Sequence, residues 1–183
     1  MAPPYEKIYE DLINNRNKLK KLIIIRGPIG IGKTTIANSL VAKLGPNTSY
    51  LLNLNEMRTD IFHAYMMSSQ KYDNIIAEMF YGGFHTTNPG KWLRYFPDDT
   101  YNKLSVVLTA PLEDCLSGVI RRKHPSHFGI SLDSVRTDYY DFYNTLKPLF
   151  RELINFQEIE VDNSRTRSPV IAVNLIFDKL QEI

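Results

Sequence analysis

The residues with the clearest chemistry are Gly27, Gly32, Lys33 and Thr34, which stand at the spacing Gly-x-x-x-x-Gly-Lys-Thr with Pro28, Ile29, Gly30 and Ile31 between the glycines. Glycines so placed let the backbone curl until successive N–H groups converge on an anion. A lysine after the second glycine can reach the β- and γ-phosphates of a nucleotide, and the next hydroxyl can hold Mg²⁺. The apolar run Leu22, Ile23, Ile24, Ile25 leads into this stretch, and Ile36, Leu40, Val41 and Leu44 follow at helical spacing. The start of that helix adds its own positive partial charge. A turn that only joins a strand to a helix is the plainer reading, set aside because motif and context coincide. Residues 27–35, Thr35 included, are therefore expected to bind the phosphates of ATP or another nucleoside triphosphate, with Thr34 on Mg²⁺.

The elements that must hold this loop follow from the hydrophobic pattern. Strands are expected at 22–26, 50–54, 74–79, 104–109 and 159–161. Helices are expected at 4–19, 33–44, 57–67, from Pro111 to the basic residues Arg121, Arg122 and Lys123, from Ser131 or Asp133 through Leu146, and at 170–180. Gly45-Pro46 and Ser168-Pro169 supply stop and start signals. Residues 84–101 read as irregular, with at most a short helix around Trp92 to Phe96. Strands alternating with helices argue for an α/β fold, a three-layer αβα domain with a mainly parallel five-stranded sheet. Ligands should then gather at the C-terminal ends of the strands. One domain over 1–183 is expected, with an accessory helix within 1–20.

Bulk properties narrow the class further. An apolar content of 43% in 183 residues suffices for a full core, and a net charge of +2 is too small to argue for nucleic acid by itself. One cysteine, Cys115, rules out an intrachain disulfide. Cys115 with His124 and His127 lacks the spacing of a four-ligand zinc site. The apolar run at Leu22 is far too short to span a bilayer, and no signal-peptide pattern stands at the start, so no membrane partner and a cytoplasmic location are expected. The chain is expected to act as a monomer or homodimer.

Three further stretches fall at strand ends or in a loop where a phosphate acceptor would meet the nucleotide. Asn53-Leu54-Asn55-Glu56-Met57-Arg58 follows the second strand, and Glu78 ends the third. Arg121-Arg122-Lys123 leads into the breaker-rich stretch 124–129, and Arg136 lies on the next helix. With the phosphate-binding loop, these resemble the small P-loop kinases, in particular the branch holding polynucleotide 5′-kinases, zeta toxins and chloramphenicol phosphotransferase. Relatives in that branch end the second strand on an aspartate base followed by an arginine, as in Asp-x-x-Arg. The resemblance sets Asn55 at the aspartate position and Arg58 at the arginine, which binds the acceptor. An amide orients a hydroxyl but takes no proton at neutral pH, so Glu56 and Glu78 are the alternative bases. A plainer reading makes Asn55 a helix N-cap.

The resemblance also implies a lid over about 121–130, with Arg121 and Arg122 on the developing charge. It implies a base-contacting stretch at Asp162 to Thr166 that includes Arg165. Glu78, Trp92 and Arg136 are expected beside the acceptor, Trp92 as part of an aromatic wall; a buried cluster would carry the same aromatic residues. The expected activity is Mg²⁺-dependent transfer of the γ-phosphoryl group to a hydroxyl acceptor: a polynucleotide 5′ end, a nucleoside or nucleotide, or a small alcohol. The rival is a nucleotide-binding module without catalysis, favoured by the asparagine at position 55.

Overall fold

The computed structural model describes residues 19–54, 62–79, 90–122, 130–153 and 156–183. Five strands, β1 (Lys20–Arg26), β2 (Ser49–Asn53), β3 (Asn74–Glu78), β4 (Tyr101–Thr109) and β5 (Gln157–Asp162), form one sheet in the order β2-β3-β1-β4-β5. Every pairing is parallel. The helices are α1 (Lys33–Leu44), α2 (Phe62–Ser69), α3 (Gly90–Leu93), α4 (Leu112–Arg122), α5 (Leu132–Asp141), α6 (Lys147–Leu153) and α7 (Pro169–Gln181). A π-helical stretch, Phe142–Leu146, joins α5 to α6.

The run Leu22 to Ile25 is fully buried because β1 lies at the sheet centre, covered on both faces. Ile23 and Ile25 face one side with Ile76, Val106 and Leu108, packed on Ile36 and Leu40 of α1 and Ile176 and Leu180 of α7. Leu22 and Ile24 face the other side with Ile75 and Ala77, packed on Met66, Trp92 and Phe150. The period of two along a strand sorts these residues between the layers. This is the expected α/β sandwich of layers, with a wholly parallel sheet. From β1 the chain leaves toward β2, and from β4 toward β5 on the other side. The C-terminal ends of β1 and β4 therefore flank the switch point where such sheets bind ligands.

Boundaries differ from expectation where pairing or capping outweighs hydrophobicity. Strands β1, β4 and β5 run into the polar residues Lys20, Tyr101, Gln157 and Asp162 because the ladders continue there. Ser131 and Ser168 cap α5 and α7, accepting from the amides of Ser134 and Val170. Ser69, expected outside a helix, ends α2 as a buried residue, and its hydroxyl donates to the Met66 carbonyl at 2.7 Å. The single long helix expected after Ser131 is interrupted by the π-helical turn, which seats Phe142 and Leu146 on Val107 of β4. The accessory helix and the stretches 55–61, 80–89 and 123–129 lie outside the described residues.

Arg26, at the end of β1, was legible only as a strand terminus. Its side chain is buried, with Nε donating to Ser105 Oγ at 3.1 Å, one terminal nitrogen donating to Glu158 Oε2 at 2.5 Å, and the guanidinium 4.2 Å from the centre of the Phe150 ring. Burial pulls its pKa down to about 10, against the pull of Glu158 in the opposite direction. Removing one partner of a buried pair costs about 3–5 kcal/mol, because the other charge is left uncompensated. Glu158→Ala should lower unfolding stability by that order in a denaturant titration. A loss under about 1 kcal/mol would show that Ser105 and Phe150 suffice to hold the cation.

Candidate active site

Gly30 and Gly32 take left-handed backbone conformations, φ 80° and 97°, which an L side chain strains to adopt. The second of these is the N-cap of α1. No side chain caps that helix, and its first turn holds no acidic residue. Its leading amides therefore face the loop with nothing negative of the helix's own beside them, as an anion site requires. Lys33 is buried, its ammonium donating to the carbonyls of Gly27 at 2.9 Å and Pro28 at 3.0 Å. The loop thus closes back on the lysine that the motif supplies. Pro28 and Ile29 are buried as well, Ile29 against Val119 and Val135.

Glu78 is not at a sheet edge, since β3 lies between β2 and β1. It pairs in register with Ile25 and faces α1, where Thr34 Oγ1 donates to Glu78 Oε1 at 2.7 Å. Its second oxygen, Oε2, is buried and has no hydrogen-bond partner. A buried polar oxygen left alone costs about 1–3 kcal/mol, a cost that a bound cation would offset. A hydroxyl and a carboxyl oxygen at the head of this helix are hard oxygen donors of the kind Mg²⁺ takes. Thr34 and Glu78 therefore fit that ion.

Beside the loop lies a cavity of about 490 Å³. Gly30, Ile31, Gly32 and Thr35 form one wall, Asp114, Gly118 and Arg121 of α4 a second, and the β5–α7 connection with Asn163, Arg165 and Arg167 a third. That connection is tied on several sides. Asn163 Nδ2 donates to the Ile31 carbonyl at 2.7 Å, and its own amide to the Thr109 carbonyl at 2.8 Å. Asp162 accepts from the Ser164 amide at 2.9 Å and lies 3.1 Å from Arg167 Nε. The Ser164 amide, first among these contacts, holds the Asp162 carboxyl below its ordinary pKa. Asp114 Oδ2 accepts from the Arg165 amide at 2.8 Å, joining α4 to the same connection.

Of the residues expected from sequence, Gly30, Ile31, Gly32, Thr35, Arg121 and Arg165 therefore meet at one cavity, while Lys33 turns into the loop and Thr34 meets Glu78 at the head of α1. Trp92 does not reach a ligand surface. It is fully buried, edge-on to Phe96 at 6.3 Å between ring centres, because the short helix α3 turns its largest apolar side chain into the core. Its ring is spent on packing, so Trp92 is corrected from acceptor wall to core. Arg136 is exposed on α5 and pairs with Asp133 one turn back at 2.8 Å, away from the cavity walls. Asn55, Glu56 and Arg58 lie outside the described residues, and Arg122 is described only as the last residue of α4.

Asp114, Gly118 and Arg167 were missed by sequence reading. Their signal was weak: an acid in a helix's first turn, a helical glycine and one more arginine in a polar turn. Cys115 is a packing group, its thiol pushed up to about 12 by burial. No group of three or more potential metal-ligating His, Cys, Asp or Glu side chains occurs among the described residues, and none of their helices is long and apolar enough to cross a membrane.

No family model and no curated protein matches the chain. Solved structures do. Deoxyadenosine kinase from M. mycoides with bound dATP superposes with a TM-score of 0.53 at 17% identity, over 87% of this chain and 99% of that one. Shikimate kinase from Bacteroides thetaiotaomicron gives 0.58 at 13% identity, over 87% and 98%. The tunicamycin resistance protein of Deinococcus radiodurans gives 0.55 at 15% identity, over 88% and 95%. The fold is that of the small P-loop kinases.

Proposed function

We propose that this chain is an ATP- and Mg²⁺-dependent phosphotransferase that moves the γ-phosphoryl group to a hydroxyl acceptor. The observation that carries the reading is the Thr34–Glu78 contact at the head of α1, with one carboxyl oxygen buried and unpartnered. The phosphates lie in the amide cradle of residues 27–35 under Lys33. The base and sugar occupy the cavity against Asn163, Arg165 and Arg167. Thr34 and Glu78 would hold Mg²⁺, which would supply positive charge to offset that of the phosphates. Arg121 meets the charge that builds on the transferring group, a role Arg122 shares. The acceptor oxygen forms a bond to the γ-phosphorus as the bond to the ADP oxygen breaks. The hydroxyl proton passes to a base; Glu56 is the candidate for that role, Asn55 orients the hydroxyl and Arg58 binds the acceptor.

A screen with γ-labelled ATP tests this against 5′-hydroxyl oligonucleotides, nucleosides, nucleoside monophosphates, sugars, shikimate and hydroxylated antibiotics. Deoxynucleosides and shikimate lead the small-molecule arm because two proteins of the same fold are a deoxyadenosine kinase and a shikimate kinase. Label transferred to one acceptor class, and lost on chelating Mg²⁺, is the expected result. Tight ATP binding with no transfer to any arm would replace the kinase by a nucleotide-gated module, the reading that Asn55 favours.

A further inference from the structure

We infer that Gly118 is a positioning residue that docks α4 backbone-to-backbone on the phosphate-binding loop and so fixes where Arg121 meets the nucleotide. The inference rests on the proposed role of Arg121. Two glycines face each other across this contact. A methyl built on Gly118 would fall well inside 3.0 Å of the Gly30 carbonyl oxygen, and one built on Gly30 would fall equally close to the Cys115 carbonyl. Real Cβ atoms do not come that near, and backbone cannot step aside as the end of a flexible chain can. Gly30 therefore sits between Cys115 and Gly118, one turn of α4 apart, with no side chain on either surface.

Helix propensity argues against a glycine inside α4, where alanine is the better residue. Its presence is explained by the close approach. Around the contact, Ile29 packs on Val119, and Asp114 anchors the other end of the helix to the Arg165 amide. Arg121 lies three residues beyond Gly118 and lines the same cavity. Three parts of the nucleotide site, namely the loop, the β5–α7 connection and Arg121, are thus held in one frame by α4. A shift of about 1 Å at Gly118 would be passed to Arg121 along the rigid helix, and displacements of that size cost about a hundredfold in positioned chemistry.

The test is a double-mutant cycle between Gly118→Ala and Arg121→Ala, read by calorimetric affinities for ADP and for a non-hydrolysable ATP analogue, alongside thermal melts. Gly118→Ala should keep a cooperative melt, and its preference for the triphosphate analogue over ADP should fall about tenfold, whatever the change in ADP affinity itself. Arg121→Ala should produce the same fall, and the double variant should fall no further. Additive losses, or an unchanged preference in Gly118→Ala, overturn the positioning role. Should Gly118→Ala fail to fold, Val119→Ala loosens the same seat with both glycines intact. Its loss of triphosphate preference must then also be non-additive with Arg121→Ala, and an additive or absent loss overturns the inference. A silent Arg121→Ala overturns the assigned role of Arg121 instead, a result distinct from additivity.

Discussion

Lys33→Ala should lower phosphoryl transfer by about a thousandfold or more while leaving the fold in place. The size follows from what the lysine does in a loose transition state, where positioning and charge neutralisation supply nearly all the rate enhancement. Amides alone then hold the γ-phosphate, without the compact cation that follows its charge. The stability cost falls on the loop and leaves the sheet core untouched. The ammonium donates to two loop carbonyls, Gly27 and Pro28, and hydrogen bonds to a charged donor contribute about 1.5–3 kcal/mol each net of water, so the melting temperature should fall. Thermal melting should therefore remain cooperative, and ADP should still bind through the backbone amides with a moderate loss of affinity. Transfer is measured with the acceptor found in the labelled-ATP screen. Unchanged transfer in a folded Lys33→Ala protein would remove the loop from catalysis altogether.

The shape of the loop was legible in the sequence because its pattern is local. Residues 27–35 bring glycines, lysine and hydroxyls together in one continuous stretch, so spacing alone predicted a curled loop at the head of a helix. The sheet was legible for a similar reason, since runs such as Leu22 to Ile25 are buried on both faces. Glu78 shows where local reading runs out. An acid ending an apolar strand read only as an alternative base beside the acceptor, and the order β2-β3-β1 is what brings it to Thr34. Trp92 erred in the other direction: aromatic residues look alike in sequence whether they line a pocket or fill a core. Gly118 and Asp114 were invisible because their partners, Gly30 and Arg165, lie far off in the chain. Arg26 was invisible too, its burial resting on Glu158 and Phe150 of the opposite end of the sequence.

Glu78→Gln should separate the two roles that a carboxyl at this position can play. The substitution keeps the shape of the side chain and an oxygen for the Thr34 hydroxyl, so melting should move by no more than a few degrees. It removes a negatively charged oxygen donor, which Mg²⁺ favours over an amide. If Glu78 serves the metal, the concentration of Mg²⁺ needed for half-maximal transfer should rise about tenfold or more, and the rate at saturating Mg²⁺ should recover in part. Affinity for ADP in the presence of a chelator should stay unchanged, because the amide cradle is untouched. If Glu78 were instead the base toward the acceptor, the rate would fall about a hundredfold or more at every Mg²⁺ concentration, and the acid limb of the pH–rate profile would be lost. The geometry favours the first outcome. The hydroxyl that touches Glu78 belongs to Thr34, the residue proposed for the metal, and β3 turns the carboxyl toward α1. A variant with an unaltered Mg²⁺ requirement and a lost acid limb would move Mg²⁺ to Thr34 without Glu78 and make Glu78 the proton acceptor that Asn55 cannot be.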